Sequence, residues 1–376
     1  MKIGFLSHLD LNLYLFRLPI MKELVKRGHK VYAITPKGDV FDKFKEFGIE
    51  TIDYKIERAS LNPLNELKTI QDLKIKVRGL DLDILHSFMH KPNIYGSFTD
   101  AQNFIQTVTG LGSFFIYDDL KSKIIKNVIL TGYKISSKKA KKVIFQNSDD
   151  LEMFVKFGII PREKAVLVKS SGIDTSEWKM ESGEVLGSEF QVPSSELRVK
   201  NEKPIVLMIA RVIKDKGVEE FIKAAEILKD KAEFWYAGYI DKGNKNAFNP
   251  NWKNVKFLGL RDDIKELISK SDIVVLPSYR EGVPRTLLEA ASMSKPIVTT
   301  NAPGCKEVVD DGVNGFLVTI KDYESLAEKI GILIDNKELK EKFGKNSREK
   351  AVNEFDIKIV VDKYLEVYEE ILKGNQ

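Results

Sequence analysis

Two doubly wound α/β domains are what this sequence predicts, and three observations carry the prediction. Short apolar, β-branched runs alternate with amphipathic stretches from the first residue, a polar turn-rich segment interrupts the rhythm near the middle, and the alternation then restarts. Strands this apolar, separated by helical patterns, form parallel sheets covered on both faces. At 376 residues the chain has room for two domains with a core each.

The first half carries strand patterns at 2–7, 30–35, 50–54, 84–87, 103–108, 143–146 and 165–169, with helical patterns at 15–27, 64–78 and 121–137 between them. Residues 181–203 read as a linker after a first domain spanning 1–180. Strand patterns resume at 204–209, 232–237, 255–258, 273–276, 296–299 and 315–318, giving a second domain over 204–355. Helical patterns at 337–353 and 357–372 follow with no strand between them, and the last, over 356–376, is expected to pack back on the first domain. In open sheets of this kind ligands bind beyond the carboxyl ends of the strands, so the loops after strands are where chemistry is expected.

Composition narrows the class. Hydrophobic residues make up 43% and charged residues 31%, which argues against disorder and low-complexity scaffolds. A lone cysteine, Cys305, leaves no internal disulfide framework or cysteine zinc cluster and fits a reducing cytoplasm. No run reaches the roughly 20 apolar residues of a membrane span, and the opening residues lack a signal-peptide core. The net charge of +5 is unevenly placed: residues 1–180 carry +8 and the remainder −3, so the first half is expected to face something anionic.

Two loops of the second half concentrate polar chemistry. The first, Ala210-Arg211-Val212-Ile213-Lys214-Asp215-Lys216-Gly217, brings Arg211, Lys216 and a helix N-terminus toward one point. That is either an anion site or a solvated basic turn. The second runs Pro277-Ser278-Tyr279-Arg280-Glu281-Gly282-Val283-Pro284 and enters a helix carrying Glu289, with Pro284 expected as its first residue. Glu281 is either a ligand group or an exposed turn acid; Glu289 either grips a diol or forms an intrahelical pair.

These residues together resemble the retaining glycosyltransferases of family four, which have the GT-B fold: two Rossmann-like domains facing each other across a cleft. The likeness includes the two glutamates, Glu281 and Glu289, separated by seven residues, and continues through Phe257-Leu258-Gly259, Asn301-Ala302-Pro303-Gly304-Cys305 and Asp311-Gly312-Val313-Asn314-Gly315. In the first half, Phe16-Arg17-Leu18-Pro19-Ile20, Arg58-Ala59-Ser60-Leu61-Asn62-Pro63, His90-Lys91-Pro92-Asn93 and Gly110-Leu111-Gly112-Ser113-Phe114 resemble the branch that builds undecaprenyl-diphosphate-linked glycans in bacteria. The resemblance implies transfer of N-acetylgalactosamine from UDP-N-acetylgalactosamine to undecaprenyl-diphosphate-linked diacetylbacillosamine, with an α-1,3 linkage, in protein N-glycosylation. Other donors, such as UDP-N-acetylglucosamine or UDP-glucose in capsule, O-antigen or exopolysaccharide assembly, stay open, as do a UDP-sugar epimerase and an inactive binding subunit.

By the same resemblance Arg211 and Lys216 hold the donor diphosphate and its growing negative charge, Glu289 holds the ribose, and Pro277, Ser278, Glu281, Gly282, Val283 and Pro284 surround the donor, with Glu281 orienting the sugar. The acceptor attacks from the leaving-group face, so no enzymic nucleophile is required. His8, His86 and His90 end or follow strands. His90 is the candidate to bind or polarise donor or acceptor, the alternative being a loop histidine with a structural hydrogen bond. Where many family members carry a glycine-rich loop this chain has His8-Leu9-Asp10-Leu11-Asn12-Leu13-Tyr14, and His8, Asn12, Tyr14, Arg17, Lys91, Gly110 and Gly112 are the expected acceptor contacts. Asp81-Leu82-Asp83 reads as a turn, and neither a metal nor a cofactor beyond the substrates is expected.

Residues 121–148 hold eight lysines, among them Lys121, Lys123, Lys126, Lys134, Lys138 and Lys139, and no acid. Apolar Ile124, Ile125, Val128, Ile129 and Tyr133 recur between them at near-helical spacing. The stretch is expected to meet anionic lipid on the inner face of the cell membrane, keeping the protein cytoplasmic and peripheral; the alternative is an ordinary helix with a solvated lysine face. It lacks the interleaved aromatic platform of a nucleic-acid surface.

Overall fold

The computed structural model describes residues 1–57, 62–180, 203–244 and 246–374. Arg58 to Leu61 of the resemblance, and the expected linker apart from Lys203, lie outside the described residues. The chain divides into two compact units, Met1–Gly172 with Ile357–Gln376, and Ile173–Asp356.

In chain order the first unit contains β1 (Lys2–Leu6), α1 (Asp10–Phe16), α2 (Leu18–Lys26), β2 (Lys30–Ile34), β3 (Glu50–Ile52), α3 (Pro63–Arg78), β4 (Ile84–Phe88), α4 (His90–Tyr95), β5 (Asn103–Val108), α5 (Leu120–Lys139), β6 (Ala140–Phe145), α6 (Ser148–Lys156) and β7 (Ala165–Leu167). The second contains β8 (Ile205–Ile209), α7 (Val218–Ile227), β9 (Glu233–Ala237), β10 (Val255–Gly259), α8 (Ile264–Lys270), β11 (Ile273–Leu276), α9 (Arg285–Ser292), β12 (Ile297–Thr300), β13 (Gly315–Val318), α10 (Tyr323–Asp335) and α11 (Lys337–Glu354). The last helix, α12 (Ile357–Lys373), returns to the first unit.

Each unit has a wholly parallel sheet, in the order β3-β2-β1-β4-β5-β6-β7 and β10-β9-β8-β11-β12-β13. The strand order reverses between β1 and β4 in one sheet and between β8 and β11 in the other. A crevice opens at such a switch point because the connections on either side leave toward opposite faces. The loops bordering the two switch points are those after β1 and β4, and those after β8 and β11. They carry most of the residues singled out in the sequence.

Local chemistry explains where the helices begin. Asn62, Asp119 and Asn147 precede α3, α5 and α6, and each side-chain oxygen accepts an otherwise unpaired amide of the first turn. The helical pattern over 15–27 is in fact two helices. The chain breaks at Arg17, whose φ of −126° is not helical, and Pro19 sits in the first turn of α2.

Val360, Tyr364, Leu365 and Tyr368 of α12 are buried with Ile20, Met21 and Leu24 of α2 in one core. At about 1.5–3 kcal/mol for each fully buried apolar side chain, this face is enough to fix the helix. Residues 173–180, read from sequence as part of the first domain, belong instead to the second unit. Ile173 bridges Asp356, and the Trp178 carbonyl accepts from Arg348 at 3.0 Å.

Candidate active site

The turn after β8 is shaped from below. The Tyr236 hydroxyl donates to the carbonyls of Ala210 and Arg211 at 3.0 and 3.1 Å, which fixes the backbone where the strand ends. The Arg211 guanidinium reaches outward, half exposed, and donates to Asp241 at 2.7 Å. A short 3-10 turn, Lys214–Lys216, leads into Gly217, which has φ of +74° and opens α7. A Cβ there would lie 2.1 Å from the Pro277 carbonyl oxygen, so the two loops approach as closely as glycine permits.

The loop after β11 lies between that turn and the segment after β12. Tyr279 N–H donates to the Asp215 carbonyl at 2.9 Å, Glu281 N–H donates to the Pro303 carbonyl at 2.9 Å, and Thr300 Oγ1 donates to the Ser278 carbonyl. Gly304, with φ of +80°, fits against the Glu281 and Gly282 carbonyls, where a Cβ would lie within 2.5 Å of each oxygen. Held on both sides, Glu281 directs its carboxylate to the Lys216 ammonium, and the two form an ion pair with side chains 13% and 18% exposed. Ser278 is fully buried and its hydroxyl has no hydrogen-bond partner among the described residues.

Pro284 is the N-cap of α9 rather than its first helical residue, and Val283 packs partly buried on the domain core. Glu289 accepts from Arg285 Nε at 2.9 Å, the intrahelical pair that the spacing allowed. It is also 6% exposed, and loss of solvent pushes its carboxyl up to about 7 despite the guanidinium. Cys305 is buried beside this loop, its thiol pushed up to about 12, so it is held as a neutral packing group.

The first unit treats its candidates unequally. Arg17 is 1% exposed, with its guanidinium 4.6 Å over the Phe88 ring and Nη1 3.5 Å from the Tyr364 hydroxyl. This burial, which lowers its pKa, leaves no face for an acceptor. His86 is likewise enclosed, bridging Tyr368 and Thr107 at 2.6 Å each, so it does not reach a crevice. Tyr14 packs edge-on against Phe44. Lys91 is tied to Glu66 at 2.7 Å and to the Glu57 carbonyl at 2.8 Å.

His8 follows β1, and Asn12 in α1 has a buried Oδ1 with no hydrogen-bond partner among the described residues. His90 opens α4 behind Met89, which takes φ of +75° to turn the chain off the strand. Its Nε2 lies 3.2 Å from the Leu111 carbonyl and must carry the proton, so Nδ1, 3.1 Å from the Tyr133 hydroxyl, accepts. Burial holds its pKa near 4, which matches a neutral ring. Gly110 and Gly112, with φ of +127° and +74°, flank the Leu111 carbonyl that His90 holds.

Helix α5 leaves part of its apolar side outside the core. Its core-facing side is built from Ser122, Tyr133, Ser136 and Ser137 with the partly buried Ile129 and Leu130, whereas Leu120, Ile124, Val128 and Ile135 are 75%, 56%, 61% and 53% exposed. Lys121, Lys123, Lys134 and Lys138 are exposed around that stripe. Lys126 lies 5.3 Å over the Phe115 ring, and Lys139 donates to the Thr99 carbonyl. Among the described residues no helix is long and apolar enough to cross a membrane.

Residues 193–350 match the model of glycosyl transferases group 1, and residues 2–147 that of the glycosyl transferase 4-like family. A Campylobacter jejuni protein named as an N,N'-diacetylbacillosaminyl-diphospho-undecaprenol alpha-1,3-N-acetylgalactosaminyltransferase is 35% identical over 386 aligned residues, covering 100% of both chains. A UDP-Gal:alpha-D-GlcNAc-diphosphoundecaprenol alpha-1,3-galactosyltransferase of Escherichia coli is 24% identical over 82% of this chain and 81% of its own. The crystal structure of an Anabaena protein in complex with UDP superposes with a TM-score of 0.80 at 20% identity, over 98% of this chain and all of that one. With two parallel-sheet units, both family models matched and a relative aligned from end to end, the chain belongs to the family-four glycosyltransferases of GT-B fold.

Proposed function

We propose that this enzyme is a retaining transferase that moves N-acetylgalactosamine from UDP-N-acetylgalactosamine to undecaprenyl-diphosphate-linked diacetylbacillosamine, forming an α-1,3 linkage in bacterial protein N-glycosylation. The observation that carries the reading is the end-to-end likeness to the Campylobacter transferase with that acceptor and sugar in its name. The site chemistry is compatible with it. Arg211 and Lys216 take the diphosphate, Glu289 the ribose hydroxyls, and Glu281 with the Gly282 and Val283 amides the sugar. As the anomeric carbon–oxygen bond breaks, its electrons pass to the diphosphate, where the two cations stabilise the added charge. The acceptor hydroxyl adds to the anomeric carbon on the same face and passes its proton to the departing phosphate oxygen.

On the acceptor side, His8, Asn12, Lys91 and the Gly110–Gly112 turn held by His90 are the proposed contacts, with Arg17 and Tyr14 supporting them from beneath. The lysines and exposed apolar stripe of α5 are proposed to rest on the inner leaflet where the lipid-linked acceptor lies. The deciding experiment supplies UDP-N-acetylgalactosamine, UDP-N-acetylglucosamine or UDP-glucose with the undecaprenyl-diphosphate-linked acceptor, followed by linkage analysis of the product. Only the first donor is expected to give an α-1,3 product. A different preferred donor moves the reading to another glycan, and donor conversion without acceptor replaces it with an epimerase.

A further inference from the structure

We propose that Tyr279 is a positioning residue for the transfer reaction: a strut that sets the loop bearing Glu281 against the turn bearing Lys216. The proposal rests on the reading of those two residues as donor-site groups. Tyr279 is 8% exposed and contacts the chain on both sides of Lys216. Its N–H donates to the carbonyl of Asp215, the residue before Lys216, at 2.9 Å. Its hydroxyl donates at 2.8 Å to Oε1 of Glu220, a buried carboxylate in the first turn of α7 four residues after Lys216.

The neighbouring groups reinforce this arrangement. The Asp215 carboxylate accepts from the Asn246 amide at 3.1 and 3.2 Å, and the Lys321 ammonium lies 5.3 Å from the Tyr279 ring centroid. Glu281 is two residues beyond Tyr279 in the same loop. The Lys216–Glu281 alignment therefore depends on a tyrosine that bonds to residues on either side of Lys216. Oε2 of Glu220 is buried without a hydrogen-bond partner among the described residues, which makes the Tyr279 hydroxyl the contact that holds this carboxylate in register.

The test is steady-state transfer with UDP-N-acetylgalactosamine and the lipid-linked acceptor, alongside UDP binding by calorimetry, for Tyr279→Phe, Glu220→Gln and Lys216→Ala. Removing the hydroxyl in Tyr279→Phe is expected to lower kcat by between about 10-fold and 100-fold, the range that loss of alignment near 1 Å produces. UDP affinity should stay within about threefold, because the phosphate cations remain. Glu220→Gln keeps a carbonyl that accepts from the tyrosine and should turn over within about threefold of the parent.

Wild-type turnover in Tyr279→Phe, or a loss of UDP affinity as large as its loss of turnover, overturns the strut. If Tyr279→Phe does not fold, Glu220→Ala removes the same hydrogen bond and is held to the same outcomes. Undiminished transfer by Lys216→Ala would remove the underlying site reading. A dead Lys216→Ala beside a fully active Tyr279→Phe would remove the strut alone.

Discussion

Lys216 and Glu281 neutralise each other: two side chains assigned to the donor, 65 residues apart in sequence, meet as an ion pair with less than a fifth of either exposed. A carboxylate in contact with the lysine proposed to receive a diphosphate opposes that diphosphate electrostatically. Glu281→Gln is therefore expected to bind UDP about three- to tenfold more tightly, the equivalent of about 1 kcal/mol for a partly exposed pair, while transfer falls as the sugar loses the carboxylate proposed to orient it. Calorimetric titration with UDP beside a transfer assay separates the two effects. Weaker UDP binding in this variant would mean that Glu281 supports the lysine rather than competing for it.

That pairing is also where reading the sequence reached its limit. The parallel strands were legible because doubly covered strands are apolar along their whole length, and the loops after β8 and β11 were legible from Arg211, Lys216, Glu281 and Glu289. Asp241 against Arg211, and Glu220 against Tyr279, left no signal, since each joins elements whose adjacency only the fold creates. The placement of residues 173–180 depended on a bridge between Ile173 and Asp356, which no local composition shift reports. In α5 the spacing left open whether the apolar side enters the core, and the fold decides it residue by residue: Ile124 and Val128 stay exposed while Ile129, Leu130 and Tyr133 pack inward beside small serines. Arg17 and His86 looked like loop chemistry and are core groups capped by tyrosines of α12.

Gly217 should tolerate no side chain. Alanine there takes on the left-handed φ and meets the Pro277 carbonyl oxygen, a backbone atom that cannot rotate away. Gly312 has nearly the same φ, +73°, with nothing within 4 Å of its Cβ position, and serves as the control. Gly312→Ala is expected to cost about 1 kcal/mol from conformation alone. Gly217→Ala should cost about 1–3 kcal/mol more from forced overpacking and abolish transfer. Thermal unfolding of the two variants reads the difference, and equal midpoints would mean that the loops separate freely.

Glu289 makes a signed prediction about pH. Its carboxyl titrates near 7 when folded, whereas an exposed glutamate titrates near the ordinary value of 4.5. Across that interval the unfolded chain has lost the proton that the folded chain keeps, so raising pH from about 4.5 to 7 favours unfolding, with no further contribution above 7. Relative to Glu289→Gln, the stability of the parent should decline over this window and then level. If the ionised carboxylate receives the ribose hydroxyls, UDP affinity should also rise through pH 7 in the parent and stay flat in the variant. A difference in stability that is constant with pH would place the glutamate in contact with solvent.

His90 should act in the opposite sense. Its ring titrates near 4 when folded and near 6.5 when unfolded, so its contribution is present above pH 6.5 and is lost as pH falls toward 4. The difference in unfolding midpoint between the parent and His90→Gln should change between pH 6.5 and 4 and hold constant above 7. Nitrogen NMR should find the Nε2-protonated tautomer throughout neutral pH. Detection of the Nδ1 tautomer would break the link to Leu111 and the glycines on either side of it.

The exposed face of α5 brings the charge asymmetry and the lipid-linked acceptor together in one test. Lysines alone would hold a protein near anionic headgroups by attraction that salt screens, whereas Leu120, Ile124, Val128 and Ile135 add apolar surface that gains by entering the interface. The two contributions separate experimentally. Replacing Lys121, Lys123, Lys134 and Lys138 by glutamine should weaken binding to vesicles containing anionic lipid most at low ionic strength, by about 1 kcal/mol for each lysine near the surface. Ile124→Glu with Val128→Glu should weaken binding at high ionic strength as well, where the lysines no longer contribute. Because neither set lies in the unit that carries Arg211, Lys216, Glu281 and Glu289, UDP affinity should be unchanged in both, while transfer to acceptor embedded in vesicles falls. Unaltered vesicle binding in both sets would assign α5 to solvent and require the enzyme to reach its lipid-linked acceptor through another surface.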